Sequence, residues 1–237
     1  MYFSEKYKLL FIACPKTGSK SVKKLLMEID PTGQYNTIEF NGLKITSKDM
    51  HYGMVVHARA WEFKNALGEE NYNSLMVFGI VRHPFDRLVS SYFHNKAQSI
   101  TQVLGWKGQK NLLKRKIKGA ISHTLPKILP IAIWVFIYKM KSNYDYFYDR
   151  EGNRIVKYIG RTNHLTEDLR KILSVKGISL KNEVPHINTT SHKSHHNYFK
   201  SKWIVNYLTK KYQKDIDLYK LAEKEMNSLV SSQNISN

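Results

Sequence analysis

The chain has 237 residues, 42% of them hydrophobic and 24% charged, a balance that suits a folded domain with a sizeable core and excludes an intrinsically disordered chain. Its 38 Lys and Arg against 19 Asp and Glu leave a net charge of +19, so a polyanionic partner is expected: nucleic acid, a phosphate-rich cofactor, an acidic polysaccharide or an anionic membrane surface. The single cysteine, Cys14, excludes an internal disulfide and offers no metal-ligand spacing.

In chain order, residues 8–13, KLLFIA, form a short unbroken apolar run closed by Pro15 and Gly18, the pattern of a strand buried on both faces of a parallel sheet. Val22, Leu25, Leu26 and Ile29 then recur at helical spacing as far as the breaker DPTG. A second strand, LMVFGIV at 75–81, breaks at RHPF and leads into a helix with Leu88, Val89, Tyr92 and Phe93 on one face. Pro84 sits in the first turn of that helix, where its missing N–H costs nothing. A third strand, RIVKYIG at 154–160, precedes the helical pattern HLTEDLRKILSVKG, which ends at Gly177. Three strand-then-helix units predict an α/β domain with a central, mainly parallel sheet flanked by helices.

Between the second and third units lies a Lys-rich segment, at about 97–143, read as a helical insertion into one domain spanning 1–237. It contains the run LPKILPIAIWVFIYKM, whose uninterrupted part, Ile131 to Tyr138, is far short of the roughly 20 residues that span a bilayer. That run is expected to be a buried or interfacial helix, with peripheral membrane contact as its alternative. VPHINTTSHKSHHNYF reads as a polar loop leading to a helix from about 202 to 229, and SSQNISN as a frayed tail. The N-terminus lacks the basic region, long apolar core and cleavage site of a signal peptide. Cytoplasmic action is therefore expected, with peripheral attachment at the inner face of the membrane as an extension of it.

FIACPKTGSKSV, residues 11–22, joins the first strand to the first helix. Such a loop presents backbone N–H groups and the positive end of a helix dipole, and so favours an anion. Lys16 adds a mobile charge, and Thr17, Ser19 and Ser21 add hydroxyls. The Walker loop G-x-x-x-x-G-K-[ST] does not fit: with Gly18 as its second glycine, Ser19 would have to be lysine, and with Lys20 as its lysine, Ser19 would have to be glycine. The order P-K-T-G-S-x-S resembles instead the 5′-phosphosulfate loop of sulfotransferases that use 3′-phosphoadenosine 5′-phosphosulfate (PAPS). FGIVRHPFDRLVSSYFH resembles their second signature, V-R-[ND]-P-x-[DE]-R-x-x-S-x-[YF], with Arg82 at the strand end and Ser90 a little over two helical turns later. His83 stands where Asn or Asp is usual, and Lys20 where Thr is common.

Further stretches extend the resemblance to carbohydrate-type sulfotransferases of the Sulfotransfer_2 pattern. These are HARAWEFKNALGEENYNSLMVFGIVRHP, YDREGNRIVKYIGRTNHLTEDL, in which Asn163 replaces a usual Glu, and the pair VPHINTTSHKSHHNYF and YQKDIDLYKL. The resemblance implies a P-loop-like three-layer fold, PAPS as donor, 3′-phosphoadenosine 5′-phosphate (PAP) as product, and no metal. It implies donor contacts from Lys16, Thr17, Gly18, Ser19, Lys20 and Ser21, with Arg82 and Ser90 on the 3′-phosphate and Arg161 and Lys193 as further candidates. In-line sulfuryl transfer needs charge neutralisation at the leaving oxygen, assigned to Lys16, and a general base near neutral pKa. His57 matches the position of the family's helix-borne histidine and is the first candidate base, ahead of His51, His94, His186 and Glu62. The histidines at 186, 192, 195 and 196 are read as a polar loop over the nucleotide rather than as a metal site.

The acceptor implied is a hydroxyl of a carbohydrate, glycoconjugate or glycolipid, with the charge and apolarity of the insertion favouring an acidic glycan or a lipid-linked sugar, and the missing export signal together with the resemblance points to a bacterial source. A nucleotide or small-molecule kinase and a basic nucleic-acid-binding protein are the alternatives; the broken Walker pattern counts against the first and the lack of any nucleic-acid motif against the second.

Overall fold

A computed structural model of the chain describes residues 1–51, 54–98, 112–180, 182–185, 187 and 193–233. Its strands are β1 (Tyr2–Ser4), β2 (Leu9–Ile12), β3 (Ile38–Phe40), β4 (Leu43–Ile45), β5 (Met76–Val81) and β6 (Tyr158–Arg161). Its α-helices are α1 (Ser19–Ile29), α2 (Ala60–Leu67), α3 (Glu69–Ser74), α4 (Pro84–Ala97) and α5 (Leu112–Ile128). They continue with α6 (Ile131–Ile137), α7 (Tyr144–Phe147), α8 (Leu165–Ser174), α9 (Lys202–Lys211) and α10 (Gln213–Gln233). The chain packs as two compact units, the first comprising Met1–Arg82, Ser142–Ile187 and Lys214–Asn237, the second His83–Lys141 and Asn188–Gln213.

The first unit is built on a four-stranded sheet in the order β1-β2-β5-β6. Pairing of β2 with β5 and of β5 with β6 is parallel, and β1 adds an antiparallel edge. Every residue of β2 and β5 is buried, as their unbroken apolar runs predict. Alternation along the strands feeds two cores. Leu10, Ile12, Val77 and Val81 pack with Phe63, Phe147 and Leu218 on one face. Leu9, Phe11, Phe78 and Ile80 pack with Leu25 and Leu26 of α1 and Leu169 and Ile172 of α8 on the other. The α/β class and the helix-flanked, mainly parallel sheet are as the sequence predicts.

Boundaries differ where side chains and not periodicity decide. The third strand starts at Tyr158 rather than Arg154, because the backbone at Arg154 pairs in an antiparallel bridge with Tyr148 instead, while its guanidinium meets Glu225 and the Val156 and Lys157 carbonyls. The strand still registers on β5, Gly79 against Ile159 and Val81 against Arg161. The helix expected from 202 to 229 is divided at Tyr212 into α9 and α10. Neither β1 nor the β3–β4 hairpin was expected, since three-residue strands show too little alternation to read.

The second unit is helical. α4 begins with Pro84 at its first position, as expected. The Tyr92 hydroxyl on α4 donates to the Leu129 carbonyl at 2.8 Å, and its ring lies edge-on to Trp134 of α6, with centroids 5.4 Å apart. Lys211 of α9 donates to the carbonyls of Val135 and Tyr138 at 3.0 and 3.2 Å, closing the C-terminal end of α6. The helical reading of the Lys-rich insertion applies to α5 and α6; residues 99–111 lie outside the described chain.

Candidate functional site

The chain leaves β2 through Ala13, Cys14 and Pro15 and enters α1 at Ser19. Two residues of this turn adopt the left-handed backbone conformation, Lys16 at φ 68° and Gly18 at φ 78°. Glycine does so without strain. A lysine does not, and left-handed residues other than glycine concentrate at functional turns. The turn is held from within, because the Thr17 and Ser19 hydroxyls both donate to the Cys14 carbonyl, at 2.9 and 2.6 Å. Ser21, also buried, accepts from the Ile187 amide at 3.1 Å. Two of the three hydroxyls proposed as donors to a ligand thus shape the loop, while that of Ser21 ties it to Ile187 as an acceptor.

What remains directed outward is charge and the start of the helix. α1 has no side-chain cap at Gly18 and no acidic residue in its first turn, where helices commonly carry one. The Ser21 and Val22 amides donate to the Gly18 carbonyl at 2.9 and 3.2 Å, while the amides that open a helix have no carbonyl one turn earlier to receive them. Cations surround this end instead. The Lys16 ammonium is pushed down to about 8, first by burial and then by the nearby Arg82 guanidinium and by Lys20. Lys16 thus lies close enough to both Arg82 and Lys20 to be perturbed by them, beside a helix N-terminus, an arrangement of charge that favours an anion.

His57 is brought to the same strand end. Its Nδ1 lies 3.0 Å from the Ala13 carbonyl oxygen. A carbonyl only accepts, so Nδ1 carries the hydrogen, and in the neutral ring the lone pair is on Nε2, the tautomer a general base requires. The residue sits in the turn before α2 rather than on a helix. Other candidate bases have evident structural work. Glu62 is 2% exposed and accepts from the amides of His51 and Arg59 with its two oxygens, capping α2. His94 approaches Gln98 one helical turn on, at 2.9 Å. His186 and His192 lie outside the described residues.

Arg161 ends β6 and is 4% exposed. Its Nε and Nη2 donate to the two oxygens of Asp168 at 2.9 and 3.0 Å, and its backbone N–H donates to Asp168 at 2.7 Å. The guanidinium fork is therefore occupied by a carboxylate of the same unit, with Glu223 3.5 Å away. Sequence reasoning missed Asp168 and Thr162. The Thr162 hydroxyl reaches the Val81 carbonyl at 2.9 Å and the Thr17 carbonyl at 3.2 Å, linking the ends of β5 and β6 to the β2–α1 loop. Its position directly after the third strand was the one available signal.

Ser90 and Lys193 belong to the second unit. Ser90 is buried on α4; Lys193 is exposed, its amide 3.3 Å from the Tyr198 hydroxyl. The His195 ring meets Asp86 at 2.8 Å and stacks on His83 with centroids 5.0 Å apart. Burial, then His195, pushes the His83 imidazole down to about 4, so it stays neutral at physiological pH. Among the described residues, His83, Asp86 and His195 offer potential ligand atoms within 4.8 Å of one another, a grouping that shares His195 alone with the histidines singled out in the sequence.

The family model described as "Sulfotransferase family" matches residues 1–126, more than half of the chain. The chain belongs to the sulfotransferase family. Over 92 residues it is 30% identical to carbohydrate sulfotransferase 10 of Xenopus laevis, a match covering 39% of this chain and 24% of that protein. The chain thus spans about a quarter of the length of this relative. No solved structure matches.

The comparison corrects one expectation. Cytoplasmic action was inferred from the missing export signal. The similar protein is an animal carbohydrate sulfotransferase of which the match covers 24%, so the N-terminus of this chain does not decide the compartment of a family member.

Proposed function

We propose that this family member transfers a sulfuryl group from PAPS to a hydroxyl of a carbohydrate or glycoconjugate, releasing PAP. The observation that carries this reading is the convergence, at the ends of β2 and β5, of Lys16, Lys20 and Arg82 on an uncapped helix N-terminus, with His57 fixed against Ala13.

Sulfuryl transfer resembles phosphoryl transfer in that charge spreads over equatorial oxygens and the catalyst chiefly positions and neutralises. The α1 amides and Lys16 suit the 5′-phosphosulfate, where Lys16 would balance charge on the oxygen that leaves. Arg82 offers a planar fork suited to the 3′-phosphate. His57, with Nδ1 donating to Ala13, would take the acceptor proton at Nε2. Left-handed strain at Lys16 is consistent with a loop shaped for its ligand before binding.

Transfer of labelled sulfate from PAPS to a panel of glycans and glycolipids tests the reaction and identifies the acceptor. His57→Ala should cut turnover by roughly 100-fold or more while leaving PAP affinity unchanged. Wild-type turnover in that variant would remove His57 from the mechanism.

A further inference from the structure

Positive charge is concentrated in the second unit. Residues 83–141 and 188–213 contain 16 Lys and Arg and a single acidic residue, Asp86, while the first unit carries almost all the acids. A surface of one sign attracts any polyanion, so charge alone does not name the partner.

The apolar residues set among these lysines do. α6 turns Ile131, Trp134 and Val135 inward and leaves Ile133 and Ile137, one helical turn apart, 51% and 53% exposed. On α9, Trp203 is 67% exposed. Phe136 joins the two helices, its ring 5.2 Å from Trp203 and 4.7 Å from Tyr207. Lys211 fixes the arrangement through the α6 carbonyls. The result is an aliphatic and aromatic ridge flanked by exposed lysines such as Lys139, Lys202 and Lys210.

Nucleic acid and acidic glycan are recognised through ion pairs, hydrogen bonds and stacking, and gain little from protruding isoleucines. A bilayer interface rewards this combination: aliphatic side chains enter the acyl boundary, Trp and Tyr lie at headgroup level, and lysines extend to anionic lipid. With seven residues, α6 is far too short to cross, so contact is with one surface.

We propose that the second unit docks on anionic lipid bilayers through the ridge formed by Ile133, Phe136, Ile137, Trp203 and Tyr207, with the surrounding lysines meeting the lipid headgroups. A glycolipid acceptor would be met at the surface where it resides, but the docking itself does not depend on the donor reading.

Vesicle flotation tests it, using phosphatidylcholine vesicles with and without phosphatidylserine. Wild-type protein should float with the phosphatidylserine vesicles, and added salt should release it. The double variant Ile133→Ser/Ile137→Ser, and separately Trp203→Ser, should bind roughly tenfold more weakly with unchanged circular dichroism, since the replaced side chains are exposed. Lys202→Glu/Lys210→Glu should weaken binding to the anionic vesicles alone. Failure of the wild-type protein to float would overturn the proposal, as would equal flotation of the Ile variants, which would reduce the effect to charge. Retention on an oligonucleotide or heparin without vesicle binding would assign the surface to a soluble polyanion instead.

Discussion

Lys16 combines a left-handed backbone with an ammonium whose pKa is pushed down to about 8 by burial and by Arg82 and Lys20. The second feature disfavours the ligand-free state and is relieved by a bound anion. The sign follows from the direction of the shift. A lysine with a folded pKa below its unfolded value of 10.5 is charged below about pH 8 at a cost to the fold, and loses that charge as pH rises through about 8. PAP binding should therefore weaken above pH 8, approaching a tenfold loss per pH unit for one titrating cation, and should be accompanied by proton uptake near that pH. Titration calorimetry at several pH values in buffers of differing ionisation enthalpy measures both quantities. In Lys16→Met this pH dependence should vanish, while the ligand-free variant should melt above wild type, because a crowded cation has been removed.

At the scale of elements, strand ends hold the site in place. Asp168 on α8 binds both the guanidinium and the backbone of Arg161 at the end of β6, and Thr162 reaches from the same end to the β5 terminus and the β2–α1 loop. Asp168→Ala would strand the buried Arg161 charge and should cost about 3–5 kcal/mol of stability, read by denaturant unfolding. Arg161→Met with Asp168→Leu should recover much of that loss if the pair serves the fold. Wild-type stability in Asp168→Ala would mean that Glu223 alone suffices for Arg161. The sequence shows these elements unevenly. Buried parallel strands read clearly because LLFI and MVFGIV have no polar interruption, and α1 and α8 because their apolar residues recur at helical spacing. The cationic loop could be read from its residue order, and Lys16, Lys20 and Arg82 do lie close enough to interact. Sequence could not foretell that the Thr17 and Ser19 hydroxyls would serve the loop itself, that Ser21 would accept from Ile187, or that the Arg161 fork would be filled by Asp168. Those outcomes depend on tertiary partners, which spacing along the chain does not encode. His57 was placed by resemblance, and its tautomer became evident only from the Ala13 carbonyl across 44 residues of sequence.

For the molecule as a whole, a net charge of +19 means that many anions will bind weakly and that binding by itself proves little. Much of that charge belongs to the second unit, where we assign it to a lipid surface, whereas Lys16 and Arg82, the residues proposed for the donor, belong to the first. Nonspecific attraction is screened by salt much more strongly than a partly buried, hydrogen-bonded phosphate site. The most direct test is calorimetric titration of PAP at elevated ionic strength into wild type, Lys16→Ala and Arg82→Ala, with ATP and magnesium as the comparison ligand. The PAPS-transferase reading predicts one PAP bound per chain by the wild type, at least a tenfold loss of affinity in each variant, and far weaker binding of ATP with magnesium. PAP affinity equal in all three proteins, or binding of ATP with magnesium as tight as that of PAP, would contradict it.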